Sequence, residues 1–229
     1  MAPGSAIWPS LASADVALGM RSSASRWATA DFVNRLARCV VGLALFGVGI
    51  GLIIEARLGA APWDVLHQGI SKRTGISVGH VIVIVGLLLL LLWIPLRQRP
   101  GIGTLLNAVE IGLVADVALA LLPTPANVVL RCAFLALGLV TVAFASGLYI
   151  GAGLGSGPRD GIMMSLSERG VSVRVARTAI EATVVVLGFL LGGRVGVGTV
   201  IVAFGIGPLV HVFLPRLRLA ARGQPVLTG

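Results

Sequence analysis

Long apolar runs alternate with short polar breaks along the chain, and six of the runs are long enough to cross a membrane. They cover about residues 36–54, 78–96, 104–122, 131–150, 172–191 and 199–214. A hydrocarbon core of ~30 Å takes roughly 20 helical residues to cross. Lipid offers no partner to an unpaired backbone group, so each run is expected to be a helix. The clearest runs from Val81 to Ile94, interrupted only by Gly86. The fifth is weakest in apolar character, opening with Arg174 and Arg177, and the sixth is short. Pro95, Pro123, Pro125 and Pro215 close the second, third and sixth runs, as proline does at helix ends.

The pattern occurs twice. Residues 51–66 and 147–162 are identical at eight of sixteen positions without a gap, at an offset of 96. The match resumes at an offset of 95, with Gly101-Ile102-Gly103-Thr104 against Gly196-Val197-Gly198-Thr199, and runs on through Ala108/Ala203, Ile111/Ile206, Gly112/Gly207 and Val117/Val212. Each copy holds three runs. Three is odd, so the second copy enters the membrane from the opposite side, and the halves are expected to be related by a pseudo-two-fold axis in the membrane plane. The expected fold is therefore an all-α membrane bundle of six transmembrane helices, built as two inverted three-helix repeats. The division is a disordered cytoplasmic tail over 1–30, one repeat over 31–126, the other over 127–215, and a basic cytoplasmic tail over 216–229.

Composition agrees with this class. Of 229 residues, 56% are hydrophobic and 12% charged, with a mean hydropathy of +0.98; a soluble domain carries about twice that charged fraction. The net charge of +9 would suggest nucleic acid in a soluble protein. Here the cations sit at the ends of apolar runs, where they orient helices and meet anionic lipid, so the expected partner is the bilayer and not nucleic acid. With the N-terminus inside, 13 of the 18 Lys and Arg fall in cytoplasmic segments. Both termini are expected in the cytoplasm of a bacterial inner-membrane protein. The first 30 residues lack the basic start and unbroken apolar core of a secretory signal. Cys39 and Cys132 fit no metal-ligand spacing and read as two free thiols.

Two motifs punctuate the repeats. Leu-Gly-x-x-Pro-x-Asp stands at Leu58–Asp64 and Leu154–Asp160. Gly59 and Gly155 permit the angles that end a helix. Pro62 and Pro158 suit the first position of a new one. Asp64 and Asp160 fall in its first turn, where a carboxylate complements the dipole. The motif thus reads as stop, turn, restart, with short helices at 62–73 and 158–169. A structural break with a capping Asp accounts for these residue types. The sharper reading is a broken, re-entrant helix whose ends line a polar cavity, as matched discontinuous helices do in transporters. Trp63 and Arg159 occupy matched positions and differ completely, so a site here is asymmetric. Gly-x-Gly-Thr opens the third and sixth runs, where Thr104 and Thr199 can cap a helix.

Polar residues inside the runs complete the candidate site: Asn107, Glu110 and Asp116 in the third, Glu181 in the fifth, His211 in the sixth. Such residues are costly in lipid and face a bundle interior. Asn107 and Glu110 share a helix face, and Asp116 pairs with His211 across the repeat. Glu181 has Arg177 one turn before it, whereas Glu110 lacks a local partner and is the leading functional carboxylate. A structural interhelical hydrogen bond is its competing role. His67, His80 and His211 are too scattered for a metal site. Ser156 invites a hydrolase reading, but Leu154 stands where that pattern needs glycine, and no oriented base is visible. Neither catalysis, a cofactor nor a metal is expected.

These residues resemble the YczE-type family of bacterial integral membrane proteins, relatives of the broader YitT group. The likeness rests on Leu58-Gly59-x-x-Pro62-Trp63-Asp64-Val65, Gly75-Ile76-Ser77-Val78-Gly79, Gly101-x-Gly103-Thr104 and Gly155-x-Gly157-Pro158-Arg159-Asp160-Gly161. It covers about residues 36–215 and implies a multi-pass bacterial plasma-membrane protein. It implies no reaction and carries over no binding residue. The functional expectation is a small secondary transporter or exporter working by alternating access, alone or as a homodimer, on an unknown small molecule or ion. Asp64, Asp160 and Glu110 would handle coupling protons or a cationic substrate. The alternative is a non-transporting scaffold or accessory partner of another complex.

Overall fold

The computed structural model describes the backbone of residues 11–219 and the side chains from residue 29. Every element among the described residues is a helix: α1 (Leu11–Glu55), α2 (Pro62–Thr74), α3 (Val78–Leu96), α4 (Ile102–Leu121), α5 (Val128–Gly151), α6 (Pro158–Glu168), α7 (Val173–Leu190) and α8 (Val197–Leu217). The tail expected over residues 1–30 is helical from Leu11, as the upstream end of α1. Residues 1–10 and the last ten residues of the C-terminal tail lie outside the described residues. Five helices are long and apolar enough to cross a membrane: α1 from Thr29, α3, α4, α5 and α8. The fifth expected span, α7, is not among them. Arg174, Arg177 and Glu181 fall within its 18 residues, and three ionisable groups in so short a helix leave no uninterrupted apolar stretch of spanning length.

The breaks form as the sequence suggests. Gly59 and Gly155 adopt φ of 118° and 131°, open to glycine and strained for any residue with a Cβ. Pro62 and Pro158 then start α2 and α6. Asp160 caps its helix, accepting from Gly157 N at 3.3 Å. Asp64 does not cap; it turns to His67, one helical turn on. At the other motif, Thr104 and Thr199 accept from the backbone N–H of Gly101 and Gly196, each at 3.2 Å.

Close helix contacts run through small residues. α1 packs on α4 through Gly47 and Gly51, and on α5 through Gly49 against Gly138. α5 packs on α8 through Gly147 and Gly151. Dispersion replaces the hydrophobic effect as the attraction between helices in lipid, and small residues let backbones approach. Arg35 and Arg38 of α1 donate to the C-terminal carbonyls of Ala152 (3.1 Å) and Leu217 (3.2 Å), ending α5 and α8 with positive charge.

The two copies of the duplicated sequence exchange their breaks. Gly198 N donates to Leu58 O at 2.8 Å, and Gly103 N donates to Leu154 O at 3.0 Å. A Cβ on Gly59 would fall 2.7 Å from Thr199 Oγ1, and one on Gly155 would fall 2.5 Å from Thr104 Oγ1. Each break therefore seats on the Gly-x-Gly-Thr turn of the opposite copy. The short helices cross over in the same way. α2 packs on α7, where Gly69 meets Gly188. α6 packs on α3, where Trp93 fills the space beside Gly161 and donates to Pro158 O at 2.9 Å.

One pair of matched seams departs from this symmetry. α3 lies along α4, with Gly79 and Gly112 back to back and Gly86 against Ala108. Asp116 ties the start of α3 to α4, accepting from Gly79 N at 2.6 Å and bonding Ser77 and His80. The matched helices α7 and α8 do not pack along their lengths. Gly207 stands where Gly112 stands in the other copy, yet a Cβ there would meet nothing within 4 Å. The residues of α7 matched to Gly79 and Gly86 are Arg174 and Glu181, which cannot make a backbone-close seam.

Candidate functional site

A cavity of about 360 Å³ sits where the short helices meet the long ones. The first turns of α2 and α6 form one wall through Pro62, Trp63, Pro158, Arg159 and Asp160. α4 and α5 supply Asn107 and Tyr149; α7 supplies Arg177 and Glu181. An apolar stripe of α8, spaced by four at Val202, Ile206, Val210 and Leu214, forms the facing wall, with His211 beside it. This spacing puts all four on one helix face. The seam that fails to close, α7 with α8, borders this same space.

Arg159 is the centre of the charge arrangement. Its guanidinium lies over the Trp63 ring, 4.9 Å from the centroid, as cation–π attraction favours. Asp64, Asp160, Tyr149 and Glu181 all act on it electrostatically. None of them pairs with it directly, because each carboxylate has its own partner. Asp64 holds His67 Nδ1 at 3.2 Å, Asp160 accepts from Gly157 N, and Glu181 accepts from Arg177 at 2.8 Å. Arg159 is half-buried: walled in by protein, it still touches the free space of the cavity.

His67 is fully buried, and its Nε2 has no hydrogen-bond partner. Since a carboxylate only accepts, Nδ1 donates to Asp64; in the neutral imidazole Nε2 is then an unprotonated acceptor. An unmet buried polar atom is costly. Nearby, Asn107 Nδ2, Tyr149 OH and Asp160 Oδ2 converge on Gly157, at 3.5, 3.5 and 3.2 Å from where its Cβ would be. A Cβ there would touch all three and press on Asp160.

Four of the six residues singled out in the sequence meet at this site: Asp160, Asn107 and His211 line the cavity, and Asp64 sits behind its wall against His67. Glu110 and Asp116 do not. Glu110 is absent from the cavity lining and acts electrostatically on the buried thiol of Cys39 on α1, and Asp116 closes the α3–α4 seam. Glu110 shares a face with Asn107 only loosely: three residues turn a helix through ~300°, which is enough to carry its carboxylate out of the cavity lining. Arg159, Trp63, His67 and Tyr149 were not anticipated as site residues. The available signals were the Trp63/Arg159 mismatch between otherwise matched motifs, and the i, i+3 spacing of Asp64 and His67. Among the described residues no group of three or more His, Cys, Asp or Glu gathers as a metal would require.

Comparison with known proteins agrees with the membrane reading. Residues 33–215 match the model of a family of unknown function, DUF6198. An uncharacterized protein of Haemophilus influenzae is 40% identical over 173 residues, covering 75% of this chain and 79% of its own length. The uncharacterized membrane protein YczE of Bacillus subtilis is 34% identical over 189 residues, covering 81% of this chain and 88% of its own. The uncharacterized protein YyaS of the same organism is 29% identical over 182 residues, covering 76% and 90%. No solved structure matches the chain. A helical chain with several spanning helices, matched along nearly all of them by that model and by YczE, belongs to the DUF6198 family and is a multi-pass membrane protein of the YczE type.

Proposed function

We propose that the protein is a small secondary transporter that works by alternating access, with the Arg159 cavity as its substrate site. One observation carries this reading. Two matched helix seams flank a cavity with charged groups in its lining, and one is shut while the other is open: Gly112 is packed against Gly79, whereas Gly207 faces free space. In an inverted repeat the two seams are the same gate in two orientations, and exchanging their states would move access from one side to the other.

The remaining parts of the reading fit this core. α7 acts as a sixth span whose charged face, Arg177 and Glu181, turns to the cavity instead of lipid. The halves then lie inverted, in keeping with the reciprocal seating of the breaks. The bias of Lys and Arg puts both termini in the cytoplasm of a bacterial inner membrane. By that assignment the open seam, near His211 and Arg177, faces inward and the Asp116 tie closes the outside. Asp64 and His67 are the proton-coupling pair, since one hydrogen bond joins them and the imidazole keeps a free lone pair.

The test is counterflow in proteoliposomes of the purified full-length chain, preloaded with a metabolite pool and given an imposed proton gradient. Uptake of at least one solute, abolished by Arg159→Gln and uncoupled from the gradient by His67→Gln, is the expected result. A protein that moves no solute in either direction, yet retrieves one stoichiometric protein partner from membranes, would instead be a scaffold.

A further inference from the structure

We infer that the cavity takes an organic acid: a carboxylate seated on Arg159, with an apolar body lying along α8. This rests on the transport reading of the same cavity and names its substrate class. A guanidinium offers five N–H donors in a planar fork. Here those donors make no hydrogen bond to the described residues, although four acidic or phenolic groups act on the cation electrostatically. Asp64, Asp160 and Glu181 are each engaged elsewhere. They offset the cost of the charge at a distance while leaving its fork for a ligand. The guanidinium carbon lies 4.9 Å from the Trp63 ring centroid, and the planar fork of an arginine suits a bidentate carboxylate.

Two further features point the same way. The N-termini of α2 and α6 both open on this space, each led by proline, and helix N-termini add positive potential toward an anion. The opposite wall is hydrocarbon: Val202, Ile206, Val210 and Leu214. A ligand that fills both halves has a charged head and an apolar body. A cationic substrate, expected from the carboxylates in the sequence, would meet Arg159 head-on.

The experiment is calorimetric binding to the full-length protein in lipid nanodiscs. The probes are acetate, benzoate and 1-naphthoate, each against the amide and the amine of the same frame. Benzoate or naphthoate should bind at least about tenfold more tightly than its amide, the factor a charge-assisted pair of ~1.4 kcal/mol produces. Acetate should bind more weakly than either, and the amines not at all. Arg159→Lys should weaken carboxylate binding by about tenfold, because charge without the fork is the poorer partner. Arg159→Gln should remove the preference for acid over amide. Amides or amines that bind as well as the acids, or acetate as tight as naphthoate, would overturn the inference. So would the failure of every carboxylate to bind the wild-type protein, a result that needs no variant to fold. Acid binding without flux in proteoliposomes would sink the transport reading and leave the acid site standing.

Discussion

Arg159 rests on Trp63, its own counterpart in the duplicated sequence: the guanidinium carbon is 4.9 Å from the indole centroid, and the two residues are 96 positions apart in matched motifs. Equivalent positions of the two sequence copies thus meet face to face. Duplication would have placed like beside like there, and two arginines or two tryptophans would serve a site poorly. The divergence at this one position turns a symmetric contact into a cation–π pair.

A double-mutant cycle tests that pairing. Trp63→Arg brings two cations together and should lower the thermal melting temperature in nanodiscs more than Arg159→Trp does. The exchanged double variant should recover part of the loss, with a favourable coupling of about 0.5–2 kcal/mol. Strictly additive losses would show that the two side chains do not interact.

The two seams predict opposite responses to the same change. At Gly112 a methyl group would press on the carbonyl of Gly79 and on Val83. Gly112→Ala should destabilise the protein by about 1–3 kcal/mol, the usual cost of overpacking. Gly207→Ala meets nothing within 4 Å and should leave stability within about 0.5 kcal/mol of wild type. Chemical denaturation in mixed micelles would measure both.

The breaks offer a matched comparison. Gly59→Ala and Gly155→Ala combine positive φ with contacts of 2.7 and 2.5 Å to the opposite copy. Each should cost about 2–4 kcal/mol, strain and steric overlap together. Gly75→Ala has φ of 76° but open space around it, so strain alone remains, about 1–2 kcal/mol. Similar losses at all three sites would mean that the interlock of the copies contributes nothing.

The carboxylates divide by position. Glu110→Gln should leave flux within about twofold of wild type, since Glu110 does not line the cavity. Asp64→Asn should lower flux at least about tenfold, which is the ~1.4 kcal/mol scale of one altered charge at the site. Fluorescent-substrate efflux from proteoliposomes at fixed protein density would separate them.

The spans and breaks were legible because their causes are local. Apolar length, proline at a first helical position and glycine at positive φ each act within a few residues, and the short helices start at Pro62 and Pro158 as expected. The site was half legible. Asn107, Asp160 and His211 line the cavity, but Glu110 was assigned by chemistry alone, and a sequence does not say which neighbour a helix face meets. The exchange of breaks was hidden for the same reason. Nothing near Leu58 reveals that its carbonyl will accept from Gly198, 140 residues away. α7 was expected as a span from its apolar end, and its charged first half, Arg174 to Glu181, is what tells it apart from the other five.

The most direct measurement is a pair of distances across the two seams, by pulsed electron resonance in nanodiscs, with Cys39 and Cys132 replaced. One pair of spin labels is placed at positions 84 and 109, level with the Gly86–Ala108 contact of α3 with α4; the other at their counterparts 179 and 204 on α7 and α8. All four positions are exposed. Alternating access predicts two populations for each pair, with one seam lengthening as the other shortens when benzoate is added or pH is changed. Two single distances that no ligand or pH moves, or seams that open and close together, would contradict it.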